Sequence, residues 1–199
     1  MGRNRAGIET HRRILDATRL LLADVGLEGT TLKAICDRAR VQAGSFYNLF
    51  ETKEEVVLTV VREAIEAVDP DPDNVGRDTV ADLIEAYIAF IEGQPELARV
   101  YIQIAVGGAN TTEHLSGRVH RHHRRRVERF TSAMRRDHPE LTADEAERRA
   151  VLLLSTLNGL ALSSIVDPPF DFGVHAKALA AAERRRPQST PQARRISLE

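Results

Sequence analysis

A short segment near the N-terminus carries side chains whose chemistry suits contact with a nucleic acid. The amides of Gln42 and Asn48 can form paired hydrogen bonds with the edge of adenine, and the methyl group of Ala43 can contact that of thymine. The hydroxyl of Tyr47 and the ammonium of Lys53 can bind phosphate oxygens. Because both kinds of group occur within twelve residues, this segment is a candidate DNA-contacting region.

The distribution of charge supports this interpretation better than the net charge of −1 does. Residues 1–53 carry nine Lys/Arg and six Asp/Glu, a surplus of three positive charges. Residues 54–92 carry eleven acids and two bases. A mildly basic segment can approach the phosphate backbone, and the acidic stretch after it can keep the rest of the chain away.

A group of histidines, His120, His122 and His123, invites a metal or catalytic interpretation. His120 and His123 are three residues apart and could share a metal ion on a helix. Six arginines surround them, at Arg118, Arg121, Arg124, Arg125, Arg126 and Arg129. Fixed positive charge opposes a divalent cation, so a solvated basic face that pairs with acidic residues is the simpler prediction.

As a general base, His123 lacks a nucleophilic partner, and neither paired carboxylates nor a phosphate loop occur, so we expect no enzyme, metal or cofactor.

The composition favours a helical protein. Hydrophobic residues make up 42% and aromatic residues only 5%, without Trp, so the core must consist of Ala, Leu, Ile and Val. Without a run of about 18 apolar residues or a signal-peptide core, we expect a cytoplasmic protein with no membrane partner. The single cysteine, Cys36, cannot form a disulfide within the chain and is expected to be a buried apolar residue rather than a redox sensor.

Hydrophobic periodicity predicts three short helices near the N-terminus. They are expected at residues 9–25, 30–39 and 43–49, after a flexible arm at residues 1–7. Gly26 can end the first helix, and Thr31 can cap the second through its side chain. The last two helices are joined by a tight turn near Arg40, and this arrangement predicts a helix-turn-helix head.

The head resembles the tetracycline-repressor (TetR) family of transcriptional regulators. The matching stretch, from Thr30 to Lys53, reads Thr-Thr-Leu-Lys-Ala-Ile-Cys-Asp-Arg-Ala-Arg-Val-Gln-Ala-Gly-Ser-Phe-Tyr-Asn-Leu-Phe-Glu-Thr-Lys. The family pattern is present, at its spacing, in the opening Thr and in Ile35, Ala39, Val41, Gly44, Phe46-Tyr47, Phe50 and Lys53. The close resemblance covers residues 10–60, about a quarter of the chain. The remainder is similar to the family only in the number and length of its helices.

The resemblance implies which residues contact DNA. Polar side chains of the third helix face the major groove, Gly44 allows the backbone to come near DNA, and Tyr47 and Lys53 bind phosphates. The expected DNA-binding residues are Thr31, Lys33, Arg40, Gln42, Ala43, Gly44, Ser45, Tyr47, Asn48 and Lys53. Phe46 and Phe50 are expected to anchor the third helix to the core.

Three positions depart from the family pattern. Arg40 replaces a turn glycine, and a left-handed backbone at Arg40 would cost about 1 kcal/mol. Leu49 replaces a common His or Tyr, which removes one expected backbone contact, and Cys36 replaces a usual Ala. The head can absorb these changes.

The periodicity predicts six more helices, one from Lys53 and the others at residues 74–92, 95–107, 116–136, 142–166 and 173–185. We therefore predict an all-α protein with an N-terminal three-helix helix-turn-helix head and a C-terminal helical body that binds an effector and dimerises. The predicted domains are residues 1–53 for the head and 54–185 for the body. Residues 186–199 are predicted to be a flexible tail.

The helix at residues 142–166 is apolar on two opposite sides. One stripe consists of Ala150, Leu154, Leu157, Ala161 and Ile165, and the other of Leu152, Thr156, Gly159, Ser163 and Val166. The first stripe can face the body and the second a partner copy, so that two such helices and the two terminal ones form a four-helix bundle. The resemblance implies the same homodimer, and a helix buried within a monomer is the alternative.

The helices at residues 74–92, 95–107 and 116–136 would enclose the space where the resembled family binds effectors. Tyr87, Tyr101, His123 and Asn158 are the candidate ligand-binding residues, although each could be an ordinary core residue with a satisfied polar group. A mainly apolar lining favours a fairly hydrophobic small molecule. The main hypothesis is a repressor that such an effector releases from a palindromic DNA operator. The alternatives are a regulator without an effector, an activator, or a small helical enzyme.

Overall fold

The computed structural model describes residues 2–73, 75–107 and 113–185, and these residues form nine α-helices without a β-strand. The helices are α1 (Gly2–Gly29), α2 (Leu32–Ala39), α3 (Ala43–Tyr47), α4 (Lys53–Glu66), α5 (Val80–Gly93), α6 (Pro95–Gly107), α7 (Glu113–Asp137), α8 (Ala143–Val166) and α9 (Phe172–Arg185). The predicted all-α class, with a helix-turn-helix head and a helical body, is confirmed. The predicted tail lies outside the described residues.

The head consists of α1, α2 and α3, and α1 packs against both α2 and α4. The prediction of a flexible arm was wrong for residues 2–7, since α1 already begins at Gly2. No proline interrupts this stretch, and a glycine such as Gly7 costs a helix only about 1 kcal/mol. Gly26 breaks the helix as predicted, with a positive φ of 67°, although helical turns continue to Gly29.

The turn between α2 and α3 has the predicted backbone. The hydroxyl oxygen of Thr31 accepts a hydrogen bond from the amide of Ala34 at 3.1 Å and so caps α2. Arg40 is left-handed, with φ 54° and ψ 49°, which is the conformation for which glycine is normally favoured. Phe46 and Phe50 are both buried, which confirms that they anchor α3 to the core.

The loop between α4 and α5 is held by acidic side chains, and α5 therefore begins at Val80 rather than at residue 74. The carboxylate of Asp71 accepts hydrogen bonds from the amides of Val75 at 2.9 Å and Gly76 at 2.6 Å, which keeps this stretch out of the helix. Thr79 then starts α5 with a reciprocal capping box to Asp82.

Two arginines of α7 hold the same loop to the body. Arg129 forms ion pairs with Asp69 and, at 2.9 Å, with Asp78. Arg136 pairs with Asp78 as well, and its Nε donates to the Asp78 carbonyl oxygen at 3.0 Å. The hydrogen bond from Arg129 holds the pKa of Asp69 below its usual value. The predicted pairing of the arginine-rich helix with acids of residues 54–92 is thus present, although these arginines point inward.

In the body, α8 lies between α7 and α9. Ala150, Leu154, Leu157 and Ala161 are buried and Ile165 is half-buried, as predicted for the stripe that faces the body. By length and composition alone, α8 is long and apolar enough to cross a membrane. The sequence did not suggest this, because it contains no uninterrupted run of about 18 apolar residues. One buried side against α7 and α9 fits the core helix of a folded domain equally well.

Candidate functional site

The predicted DNA-contacting residues lie at the start of α2 and on it, on α3, in the turn between them and at the start of α4. Nine of the ten are exposed: Thr31, Lys33, Arg40, Gln42, Ala43, Gly44, Ser45, Tyr47 and Asn48. Tyr47 is 57% exposed, although its ring rests edge-on against buried Phe46 with 5.7 Å between the ring centroids. The core side of α3 is thus fixed, and its outer side presents amide, hydroxyl and small side chains.

The backbone of α3 is open to close approach at Gly44. A Cβ atom built on Gly44 would meet no atom of the chain within 4 Å, so nothing in the folded protomer requires a glycine here. Gln42 precedes α3 as its N-cap, yet its side chain makes no capping hydrogen bond. The amide of Gln42 is therefore available to an external partner.

Lys53 differs from the other predicted contacts because it is half-buried. Its Nζ donates a hydrogen bond to the carbonyl oxygen of Thr30 at 3.2 Å, which ties the start of α4 to the start of α2. The ammonium group has three donors, so this bond leaves capacity for a phosphate. Lys33 is exposed and bonds Asp37 at 2.6 Å, and this contact raises the pKa of Lys33.

Arg13 of α1 was not predicted to have a role, yet it holds the turn between α2 and α3. Its Nε donates to the carbonyl oxygen of Ala39 at 3.0 Å, and its Nη2 donates to that of Arg40 at 2.6 Å. Arg13 thus caps the C-terminal end of α2, where carbonyl groups lack helical partners. The two positions are 26 residues apart, and no local pattern connects them.

The second stripe of α8 is uncovered in the protomer. Leu152, Thr156, Gly159 and Val166 are exposed, and Ser163 is half-buried. Leu152 is 63% exposed and Val166 74%, which is unusual for apolar side chains of this size along one helix face. A Cβ atom on Gly159 would meet nothing within 4 Å. This face is free to pack against another molecule.

A cavity of about 460 Å³ opens in the body beside α4, α6, α7 and α8. Three of the four predicted ligand-binding residues line it: Tyr101, His123 and Asn158. Tyr87 does not line it but donates a hydrogen bond to the Oδ1 of Asn158 at 2.7 Å, and burial raises the pKa of Tyr87 to about 12. His123 is exposed, so it belongs to the rim rather than to the core.

The lining is more basic than the mainly apolar one expected from the sequence. Arg62, Arg121 and Arg125 contribute to it, together with His122, which was not predicted. Burial and the neighbouring charges, Arg126 first among them, lower the pKa of His122 to about 4. The imidazole of His122 is therefore neutral at pH 7.

The histidine cluster does not assemble a metal site in the part of the chain that the structure describes. No group of three or more His, Cys, Asp or Glu side chains lies close enough together there to hold an ion. His120 is exposed, whereas His122 points toward Tyr101, with ring centroids 5.9 Å apart. The buried thiol of Cys36, whose pKa is raised by burial, packs in the head as an apolar residue.

Comparison with protein families gives two adjacent matches. Residues 14–60 match the model described as bacterial regulatory proteins, tetR family. Residues 77–186, more than half of the chain, match the tetracyclin repressor-like C-terminal domain. The two matches correspond to the helix-turn-helix region with α4 and to the body from the end of the loop onward.

Individual proteins resemble this chain in sequence over a short stretch or in structure over most of its length. The HTH-type transcriptional repressor KstR of Rhodococcus jostii is 33% identical over 61 residues, which are 31% of this chain and 29% of that protein. The alignment thus spans less than a third of that relative's length. A transcriptional regulator from Rhodococcus sp. Rha1 superposes with a TM-score of 0.62 at 25% identity, covering 87% of this chain and 93% of that one. SmeT, the repressor of the Stenotrophomonas maltophilia multidrug efflux pump SmeDEF, shares the fold with a TM-score of 0.62 at 24% identity, covering 88% and 90%.

Proposed function

The chain belongs to the TetR family of bacterial regulatory proteins, and from this premise we propose that it is a dimeric repressor which binds a palindromic DNA operator and is released by a small-molecule effector. The observation that carries the proposal is the exposed surface of α2 and α3, where side chains suited to bases and phosphates lie side by side on a buried anchor. The names of KstR and SmeT, both repressors, support repression over activation. We expect the protein to act in the cytoplasm, because its proposed partner is bacterial DNA.

The exposed side chains fall into two groups, those that suit bases and those that suit phosphates. Gln42, Ala43, Ser45 and Asn48 read bases, while Tyr47 and Lys53 hold phosphates and set the position of α3 in the major groove. Residues 1–53 form the DNA-binding domain and residues 54–185 the effector-binding and dimerisation domain. The effector enters the cavity of about 460 Å³, whose size lies within the range of small-molecule sites.

Selection of bound sequences from random double-stranded DNA tests the proposal. We expect enrichment of a palindrome whose half-sites are one helical turn, about 34 Å, or a multiple of it apart. Gln42→Ala and Asn48→Ala should each relax one position of each half-site. Thr10→Ala, on α1, removes a hydroxyl that bonds the carbonyl oxygen of Ala6 within its own helix, and should leave the motif unchanged. Absence of any enriched motif for the wild type would refute the proposal.

Gly159→Arg tests the dimer. The protomer can accommodate the side chain because Gly159 is exposed and a Cβ atom there meets nothing within 4 Å. In the proposed dimer, an unpaired arginine on the α8 stripe would be buried, at a cost of several kcal/mol per protomer. The variant should therefore remain helical, sediment as a monomer and lose operator affinity, because one head contacts only half of the site.

Ala67→Arg is the matched control for this variant. Ala67 is an exposed residue at the C-terminal end of α4, outside the α8 stripe, so the same side chain should leave the dimer intact. A helical Gly159→Arg protein that still dimerises and binds its operator normally would place the interface on another face.

A further inference from the structure

The wall of the body cavity carries charge of only one sign. Its described lining includes three arginines and two histidines, and none of the described lining residues is acidic. The arginines are Arg62, Arg121 and Arg125. Arg62 also forms an ion pair with Glu66 at 3.6 Å, whereas no carboxylate contacts Arg121 or Arg125 in the described parts of the chain.

Directly behind this wall lies a further cation, Arg126. Its guanidinium lies 4.5 Å from the ring centroid of Tyr87 and 5.4 Å from that of Tyr101, and it donates a hydrogen bond to the Tyr101 hydroxyl. Arg126 is partly buried, and within the described residues it has no carboxylate partner. Withdrawing a cation from water without a counter-ion is unfavourable, and an anion next to Tyr101 would offset that cost.

The wall also contains a polar atom without a partner. The Nε2 of His122 is buried and makes no hydrogen bond to any described residue. Buried polar atoms are nearly always bonded, so an exception in a cavity wall marks a place where a ligand can supply the partner. Apolar side chains complete the site, namely those of Leu58, Val61 and Ile104.

We propose that this cavity binds an organic anion, with its acidic head group on the arginine side chains and its apolar body on Leu58, Val61 and Ile104. The inference rests on the proposed function, because it assigns a ligand class to the effector site. Guanidinium groups bind carboxylate and phosphate oxygens in pairs, so the head group is one of these two acids. An apolar body without a charge would leave Arg121 and Arg125 without a partner among the described residues.

Four decyl compounds separate the possibilities by head group alone. The full-length protein is titrated with decanoate, decyl phosphate, decan-1-ol and decyltrimethylammonium, each below its micellar concentration, by calorimetry and thermal melting. We expect at least one of the two anions to bind and raise Tm, with an affinity at least tenfold above that of the alcohol, and no binding of the cation. Which of decanoate and decyl phosphate binds more tightly shows whether the site prefers a carboxylate or a phosphate.

Two neighbouring arginines supply a matched pair of variants. Arg125→Gln removes a charge from the wall and should weaken binding of the anion about tenfold while leaving the alcohol unchanged. Arg124→Gln removes the same charge from an exposed side chain that does not line the cavity and pairs with Glu128 at 3.8 Å. This second variant should bind the anion like the wild type.

Three results would overturn the inference: binding of the alcohol or the cation as tight as that of the anions, no binding of either anion, or equal losses in Arg125→Gln and Arg124→Gln. Operator binding by the ligand-free protein is measured in the same samples. A protein that binds its operator but shows one of these results fails only the assignment of an anion. A protein that binds no DNA sequence specifically fails the proposed function itself.

Discussion

Substituting Gly44 by alanine should move stability and DNA binding in opposite directions. Gly44 is the second residue of α3, it is exposed, and a Cβ atom there would meet no atom within 4 Å. Glycine is about 0.8–1 kcal/mol less favourable than alanine in a helix. Gly44→Ala should therefore stabilise the protein by up to about 1 kcal/mol, which corresponds to a rise in Tm of about 2–4 °C for a chain of this size.

The expected loss in DNA binding comes from the same methyl group. If the backbone of α3 lies against a phosphate, the new Cβ overpacks that contact at a cost of about 1–3 kcal/mol per head. A dimer carries two heads, so the operator complex loses at least about 2 kcal/mol, which is roughly a 30-fold rise in Kd. Opposite changes in Tm and affinity cannot come from a general loss of folded protein.

The assay is fluorescence anisotropy on the selected operator at fixed salt, with thermal melting of the same samples. Gly117→Ala is the control, because Gly117 lies within α7 of the body and a Cβ there would come no closer than 3.5 Å to Arg121. It should change helix propensity without changing operator affinity. Unchanged or tighter operator binding by Gly44→Ala would show that the backbone of α3 does not approach DNA closely.

Three further predictions concern phosphate contact, stability and acid sensitivity. Lys53→Ala should lower the dependence of log Kd on log salt by about one unit per head for every DNA sequence, and an unchanged slope would argue against a phosphate contact. Asp78→Asn should destabilise the protein by about 3 kcal/mol in denaturant melts, because Asp78 is buried between Arg129 and Arg136, while exposed Asp73→Asn should stay within about 0.5 kcal/mol. His122 has its pKa lowered to about 4, so the unfolded chain binds this proton first and stability should fall as pH drops from about 6.5 to 4. His122→Asn should lack that fall in Tm. Curves of Tm against pH that run parallel for the two proteins would contradict this prediction.

The sequence predicted those parts of the fold that local patterns specify. Periodic apolar residues predicted the helices that the structure describes, and Thr31 and Gly26 mark a cap and a helix break as predicted, since caps and breaks depend on neighbouring residues. The exposed surface of α3 followed from the same period. Once Phe46 and Phe50 face the core, Tyr47 and its polar neighbours must face outward.

The remaining features depend on contacts between distant residues. Arg13 reaches the α2–α3 turn from 26 positions away, and no pattern in the sequence connects them. The late start of α5 depends on Asp71, whose carboxylate binds the amides of Val75 and Gly76 and removes them from the helix. The basic lining of the cavity does not follow from the sequence, because Arg62 of α4 and the arginines of α7 are far apart in the chain and meet only in the fold.

The helix α4 contacts both the head and the cavity. At its N-terminal end, Lys53 bonds the carbonyl oxygen of Thr30, and farther along Glu63 pairs with Arg19 of α1 at 3.0 Å. Leu58 and Arg62 lie between these two contacts along α4, and both line the cavity. If the proposed anion draws Arg62 inward, it acts on the same helix that contacts α1 and the start of α2. In the proposed dimer the two heads must keep one spacing to bind a palindrome, so we expect a rotation of α4 in each protomer to lower operator affinity.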